Sequence, residues 1–159
     1  MKKHFSKIAL LAAGAGLVIA MLYLPKQPQT TETKQPSGLE AKIAKATMMV
    51  EGGQNPMEGI ALFREILEED PDNIEVHYRL GLFSLQSGQM DKAVMRFEKV
   101  LELNGTTYPD ARFYLGQAYE GLGEKSKAIE AYTKYKQTST DTVVTHGVDR
   151  LINELSNKN

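Results

Sequence analysis

The chain repeats itself. "RLGLFSLQSGQMDKAVMRFEKVLEL" (79–103) and "YLGQAYEGLGEKSKAIEAYTKYKQT" (114–138) share few residues, but share them in register. Leu80-Gly81 matches Leu115-Gly116, Gly88 matches Gly123, Ala93 matches Ala128, and Phe97 matches Tyr132. Each pair lies 35 positions apart. Between these points apolar residues recur at helical spacing. Leu80, Phe83 and Leu85 mark one helix, and Ala93, Val94, Phe97, Val100, Leu101 and Leu103 mark its partner. Phe113, Leu115, Ala118 and Tyr119, then Ala128, Ile129, Tyr132 and Tyr135, do the same in the later copy. A glycine falls between the two helices of each unit, where a tight turn tolerates it best. No strand-like alternation persists beyond Ser37. Two-helix units at this period bury their apolar faces by stacking, so the pattern predicts an all-α solenoid.

A less regular unit lies upstream. In "GIALFREILEEDPDN", Gly59 takes the small-residue position, Phe63 follows four later, and Asp70-Pro71 closes the unit. Its first helix is expected from Leu39 to about Val50, opened by a Ser37–Glu40 capping box. Gly52-Gly53 suits the turn, and Pro56 the start of the second helix. Ala46-Thr47 stands where the other units have Leu-Gly. Downstream, Val143, Val144, Val148, Leu151, Ile152 and Leu155 share one helical face, as a helix covering the exposed end of the stack would. "LNGTTYPDA" between the two regular units lacks the closing proline and carries one extra residue, which predicts a looser junction there, with Pro109 in the first turn of the next helix.

At Leu80-Gly81, Gly88, Ala93, Phe97 and Val100, and again at Leu115-Gly116, Tyr119, Gly123, Ala128, Tyr132 and Tyr135, the chain resembles the tetratricopeptide repeat family. The resemblance covers about residues 40–140. It implies three repeats, at about 40–73, 74–108 and 109–139, with a capping helix at about 141–156, in a domain spanning 38–159. It also implies a concave face lined by the first helix of each unit. That face would carry Ala41, Ala44, Lys45 and Met48, then Glu75, Tyr78, Arg79, Leu82 and Gln86, then Asp110, Phe113, Tyr114, Gln117 and Glu120. Met and aromatic side chains there would anchor a peptide or helix, and polar ones would set its register; Phe113 and Tyr78 could equally be packing between repeats. Family members that grip a C-terminal carboxylate use Lys and Asn. The corresponding positions here are Ala44, Met48, Arg79, Asp110 and Tyr114, which do not make that clamp.

The N-terminal segment has a different character. Residues 1–7 carry Lys2, Lys3 and Lys7, Ile8 to Leu24 is uncharged and apolar or small, and residues 25–37 are polar and rich in Thr, Gln and Pro. The apolar run is near the lower limit of about 17 residues for a membrane-spanning helix. With the basic flank held in the cytoplasm, the rest would face outward on a flexible linker. A bacterial signal anchor in the inner membrane with a periplasmic domain is therefore expected. The competing reading is a cleaved signal peptide, with Val18-Ile19-Ala20 before the cut and export of the remainder.

Charge and motifs narrow the function. Residues 1–37 hold five lysines and one acid, a balance of +4; the remainder holds 14 bases and 19 acids, a balance of −5. An acidic body argues against nucleic acid as a partner. With no cysteine there is no disulfide, thiolate site or cysteine nucleophile. His4, His77 and His146 are isolated, and no zinc-protease, phosphate-loop or nucleophile-elbow motif is present. The acidic run "EILEEDPD" (65–72) lacks the ligand spacing of a calcium loop and reads as a solvated helix end. No catalytic, metal or cofactor residue is assigned. The sequence points to a noncatalytic, membrane-tethered protein-interaction module in envelope assembly, secretion or chaperone processes. The alternative is a structural subunit that acts through self- or hetero-oligomerisation.

Overall fold

The computed structural model describes residues 37–157. The basic flank (1–7), the expected membrane helix (8–24) and the linker up to residue 36 lie outside the described residues. Among the described residues no helix is long and apolar enough to cross a membrane. Within the described residues seven helices follow one another: α1 (Gly38–Glu51), α2 (Pro56–Glu69), α3 (Ile74–Gln86), α4 (Met90–Asn104), α5 (Ala111–Gly121), α6 (Lys125–Thr138) and α7 (Thr142–Asn157). They form three antiparallel pairs, α1–α2, α3–α4 and α5–α6, with α7 packed on α6.

Local chemistry sets the helix ends. Ser37 accepts from the Glu40 amide, and the Glu40 carboxylate accepts from the Ser37 amide, a complete capping box. Pro56 opens α2, and the Asn73 side chain caps α3 by accepting from the Val76 amide at 3.1 Å. The turns within the α3–α4 and α5–α6 pairs are alike. Gly88 and Gly123 have φ of +72° and +74°. Gln89 N donates to Ser84 O and Glu124 N to Tyr119 O, closing α3 and α5 with the wrapped-back bonds that need a left-handed residue.

The core runs along the stack. Ile43, Ala46, Phe63 and Ile66 pack with Val76 and Leu80, joining the first pair to the second. Ala93, Phe97 and Val100 pack with Ala111, Leu115 and Ala118, joining the second to the third. Val148 and Leu155 of α7 close on Ala128 and Tyr132. Ala93 and Ala128 have no exposure, so the helix crossings are as close as the small side chains allow.

The junction after α4 differs from expectation. Pro109 precedes the N-cap Asp110 and lies in the turn, not in α5. The extra residue does not loosen the interface either, because α4 and α5 pack more extensively than α2 and α3. The turn closes on itself, with the Asn104 side chain accepting from the Thr106 amide and hydroxyl. The turn also places the Tyr108 ring flat on Tyr78, with centroids 4.1 Å apart.

Candidate functional site

Helix contacts define an inner and an outer side. The backbones of the first helices of successive pairs approach one another, α1 with α3 and α3 with α5, whereas those of α2, α4 and α6 stay apart. A stack that is tight along one row and open along the other curves towards the tight row. The inner face therefore belongs to α1, α3 and α5.

A continuous run of aromatic rings crosses this face. Tyr78 meets Tyr114 edge-on at 6.2 Å, and Tyr114 lies over Phe97 at 5.6 Å. Phe113 meets Tyr114 edge-on at 5.8 Å and leans on Tyr132 and Tyr135 at 5.5 and 5.4 Å. Such contacts each contribute about 0.5–1.5 kcal/mol beyond area burial. Tyr78, Phe113 and Tyr114 are half-buried, so each packs on one side and presents surface on the other. The Tyr78 hydroxyl donates to Asp110 at 2.7 Å. Burial, reinforced by that carboxylate, pushes the phenol well above its ordinary range. Tyr78 is thus a neutral, fixed donor.

Arg79 is held on this face by two acids. Its Nη2 and Nε lie 2.8 and 2.9 Å from Glu75, and its Nη1 lies 3.1 Å from Glu51 of α1. Beside it, Leu82 and Gln86 line a cleft of about 270 Å³, walled on the α1 side by Thr47, Val50 and Glu51. Met48 is 76% exposed and does not line that cleft. Gln117 is exposed on α5, and Glu120 accepts from the Tyr132 hydroxyl at 3.0 Å. Asp110 is occupied by Tyr78 and Arg79 by two carboxylates, so neither is arranged to receive a peptide carboxylate.

At its far end the face deepens into a hollow of about 470 Å³, formed by Phe113, Tyr135, Val144, Val148, Leu151 and Arg150, among others. Tyr108, Tyr135 and the α7 wall are not in the set expected from the first helices. Tyr108 comes from the irregular turn, Tyr135 is a second-helix residue, and α7 is placed by contacts outside the repeat register. The apolar face of α7, with Val144 and Leu151 on it, was the available signal.

His77 is structural. It is buried, its Nε2 hydrogen-bonds the Pro71 carbonyl at 2.8 Å, and Arg96 Nη1 lies 3.1 Å from its Nδ1. The acidic run is partly neutralised: Lys42 bridges Glu65 and Glu69, and Lys99 pairs with Asp72. Among the described residues no group of three potential ligands could hold a metal ion.

Comparison with known proteins agrees with this geometry. Two models described as tetratricopeptide repeat match residues 54–102 and 85–141. Tetratricopeptide repeat protein 21B of Xenopus laevis is 37% identical over 84 residues, 47% of this chain and 6% of that protein, so the chain spans a small part of this relative's length. Among solved structures, a MamA mutant superposes with a TM-score of 0.62 at 26% identity, covering 74% of this chain and 67% of that one. The first repeat domain of Spaghetti, bound to an HSP90 peptide, superposes with a TM-score of 0.64 at 16% identity, covering 76% and 95%. At that identity the likeness is one of fold. Over residues 54–141 this chain carries tetratricopeptide repeats, and its helical domain is a tetratricopeptide-repeat solenoid.

Proposed function

We propose that the domain is a noncatalytic module that holds an extended or helical segment of a partner protein along its inner face. The run of half-buried rings from Tyr108 to Tyr135 carries this reading. Rings fixed by their neighbours lose little entropy on binding, which favours affinity from a small contact area. The groove residues are Met48, Tyr78, Arg79, Leu82, Gln86, Phe113, Tyr114, Gln117 and Glu120, joined by Tyr135 and the α7 wall. Glu51, Glu75, Asp110, Glu120 and Glu154 outnumber Arg79 and Arg150 there, so the matching segment carries apolar anchors and basic residues rather than a terminal carboxylate. A domain of the same fold, the first repeat domain of Spaghetti, is bound to an HSP90 peptide, which supports peptide binding as a use of this fold.

The apolar run 8–24 and the basic flank before it support tethering to the bacterial inner membrane, with the domain in the periplasm. Tethering would raise the local concentration of the groove for membrane-bound or translocating partners. Cleavage after the signal segment would release the same module. Photoreactive residues placed at Leu82, Gln86 and Gln117 of the full chain in cells test the reading. Crosslinks to a second protein from these positions, and none from Glu102 on α4, are expected. Crosslinks only between copies of the chain would establish the structural-subunit alternative.

A further inference from the structure

The outer side carries a second feature, with the opposite charge. Because the backbones of α2 and α4 stay apart, a cleft of about 400 Å³ opens between them over α3. Its apolar lining includes Ile60 and two methionines that are large and solvent-facing, Met57 at 69% and Met95 at 56% exposure. Its charged lining is cationic: Arg64 from α2, Lys92 and Arg96 from α4, and no acid. Elsewhere in this acid-rich domain Lys42, Arg79, Lys99, Lys127, Lys134 and Lys136 each have a carboxylate within 4 Å. Among the described residues, Arg64, Lys92 and Arg96 have none; Lys45, Arg112 and Arg150 also lack one, but the cleft gathers three such cations in one place. Lys92 donates to Gln89, and Arg96 is engaged by His77.

We propose that this outer cleft is a docking surface for an acidic amphipathic segment of a partner protein, distinct from the inner groove. The two methionines would take the apolar side chains, since an unbranched thioether adapts to irregular partners. The three cations would take carboxylates along the same edge, where arginine donates to both oxygens of a carboxylate at once. Burial holds the Arg96 guanidinium below its ordinary range, and the nearby Arg64 charge adds to the effect. An incoming carboxylate would offset the repulsion between the two cations and compensate the desolvation with an ion pair. A basic segment, which suits the inner face, would be repelled here. The two faces thus select partners of opposite charge.

An array of 16-residue amphipathic helical peptides, in acidic and lysine-substituted versions, titrated into the full chain by fluorescence anisotropy, tests this. Acidic members are expected to bind, with affinity falling as salt is raised. Arg64→Glu with Lys92→Glu should weaken them by roughly tenfold or more. Lysine versions should bind the doubly reversed variant better than the parent. Leu82→Asp on the inner face should leave acidic binding unchanged. Three results would overturn the assignment: no preference for acidic over lysine peptides, acidic binding that is lost with Leu82→Asp, or a dimer of the chain that dissociates on the double reversal. Circular dichroism of the double variant, whose changes are at exposed or half-exposed side chains, separates lost binding from lost fold.

Discussion

The Phe97 ring lies against the backbone of Gly81: a Cβ built on Gly81 would sit 2.8 Å from the ring. The same relationship recurs one unit later, where a Cβ on Gly116 would meet the Tyr132 ring at 2.5 Å. Both aromatic residues are almost wholly buried, so neither can swing aside. The paired glycine and aromatic are therefore a single steric requirement, written twice.

Gly116→Ala should destabilise the domain although alanine favours helix. Overpacking costs about 1–3 kcal/mol, and better propensity offsets about 1. A net loss of up to about 2 kcal/mol is expected, smaller for Gly81→Ala, whose clash distance is longer. Gly147 in α7 has nothing within 4 Å of an added Cβ, so Gly147→Ala should stabilise by up to about 1 kcal/mol. Urea unfolding of the three variants checks the reversal of sign.

That contrast also explains which parts of the structure were legible. Gly81, Gly116, Ala93 and Ala128 obey local steric rules that recur every 35 residues, so the scaffold can be read directly. Tyr78 and Tyr114 were recognisable as inner-face residues because helix register orients them. The stacking of Tyr108 on Tyr78 was not, because Tyr108 belongs to an irregular turn with no register to follow. Nor was the pairing of Arg79 with Glu51, which lies in a different unit. In Thr47 the first unit departs from the Leu-Gly pattern, yet Phe63 is still fully packed, because Thr47 turns its hydroxyl back to the Ile43 carbonyl. The outer cationic cleft needs three residues from two helices whose backbones stay apart.

His77 gives the domain a pH dependence of defined sign. Burial is the main cause of its lowered pKa; the Pro71 carbonyl and Asp72 oppose the shift, while Arg96 and Lys99 add to it. The folded state therefore binds this proton less readily than the unfolded chain, whose value is near 6.5. The contribution of neutral His77 is complete above that value and is lost as pH falls below it. His77→Gln should cost about 1–3 kcal/mol at pH 7.5 through its lost hydrogen bonds, and the gap to the parent should narrow towards pH 5. Unfolding of both proteins across that range checks it, and a gap that widened on acidification would contradict it.

Inner-face variants should separate binding from folding. Leu82→Asp puts a charge on a partly buried side chain that lines the cleft and also packs against the core, so it should abolish crosslinking from Gln86 at a cost of about 1–2 kcal/mol, with the helical signal retained. Tyr78→Ala removes three ring contacts and leaves Asp110 without its donor, so it should lower stability by about 2–4 kcal/mol as well as binding. Tyr78→Phe keeps the rings and should cost about 1 kcal/mol.

The terminal helix should matter through its buried face alone. Leu155 and Val148 are 5% and 2% exposed against Tyr132 and Ala128, whereas Val143 is 78% exposed. Leu155→Ala should therefore destabilise by about 2 kcal/mol, at the low end for a buried leucine because the end of the chain can relax around the cavity. Val143→Ala should change stability by less than about 0.5 kcal/mol. Lys136 also reaches α7, 2.6 Å from Asp149, but both side chains remain about two-fifths exposed, so Lys136→Gln should cost no more than about 1 kcal/mol. Hydrogen exchange of α6 provides the discriminating measurement. Leu155→Ala should speed exchange around Ala128 to Tyr132 and leave α1 and α2 unchanged, since each unit of a stack contacts only its neighbours. Uniform acceleration along the domain would mean that the cap stabilises the whole stack cooperatively.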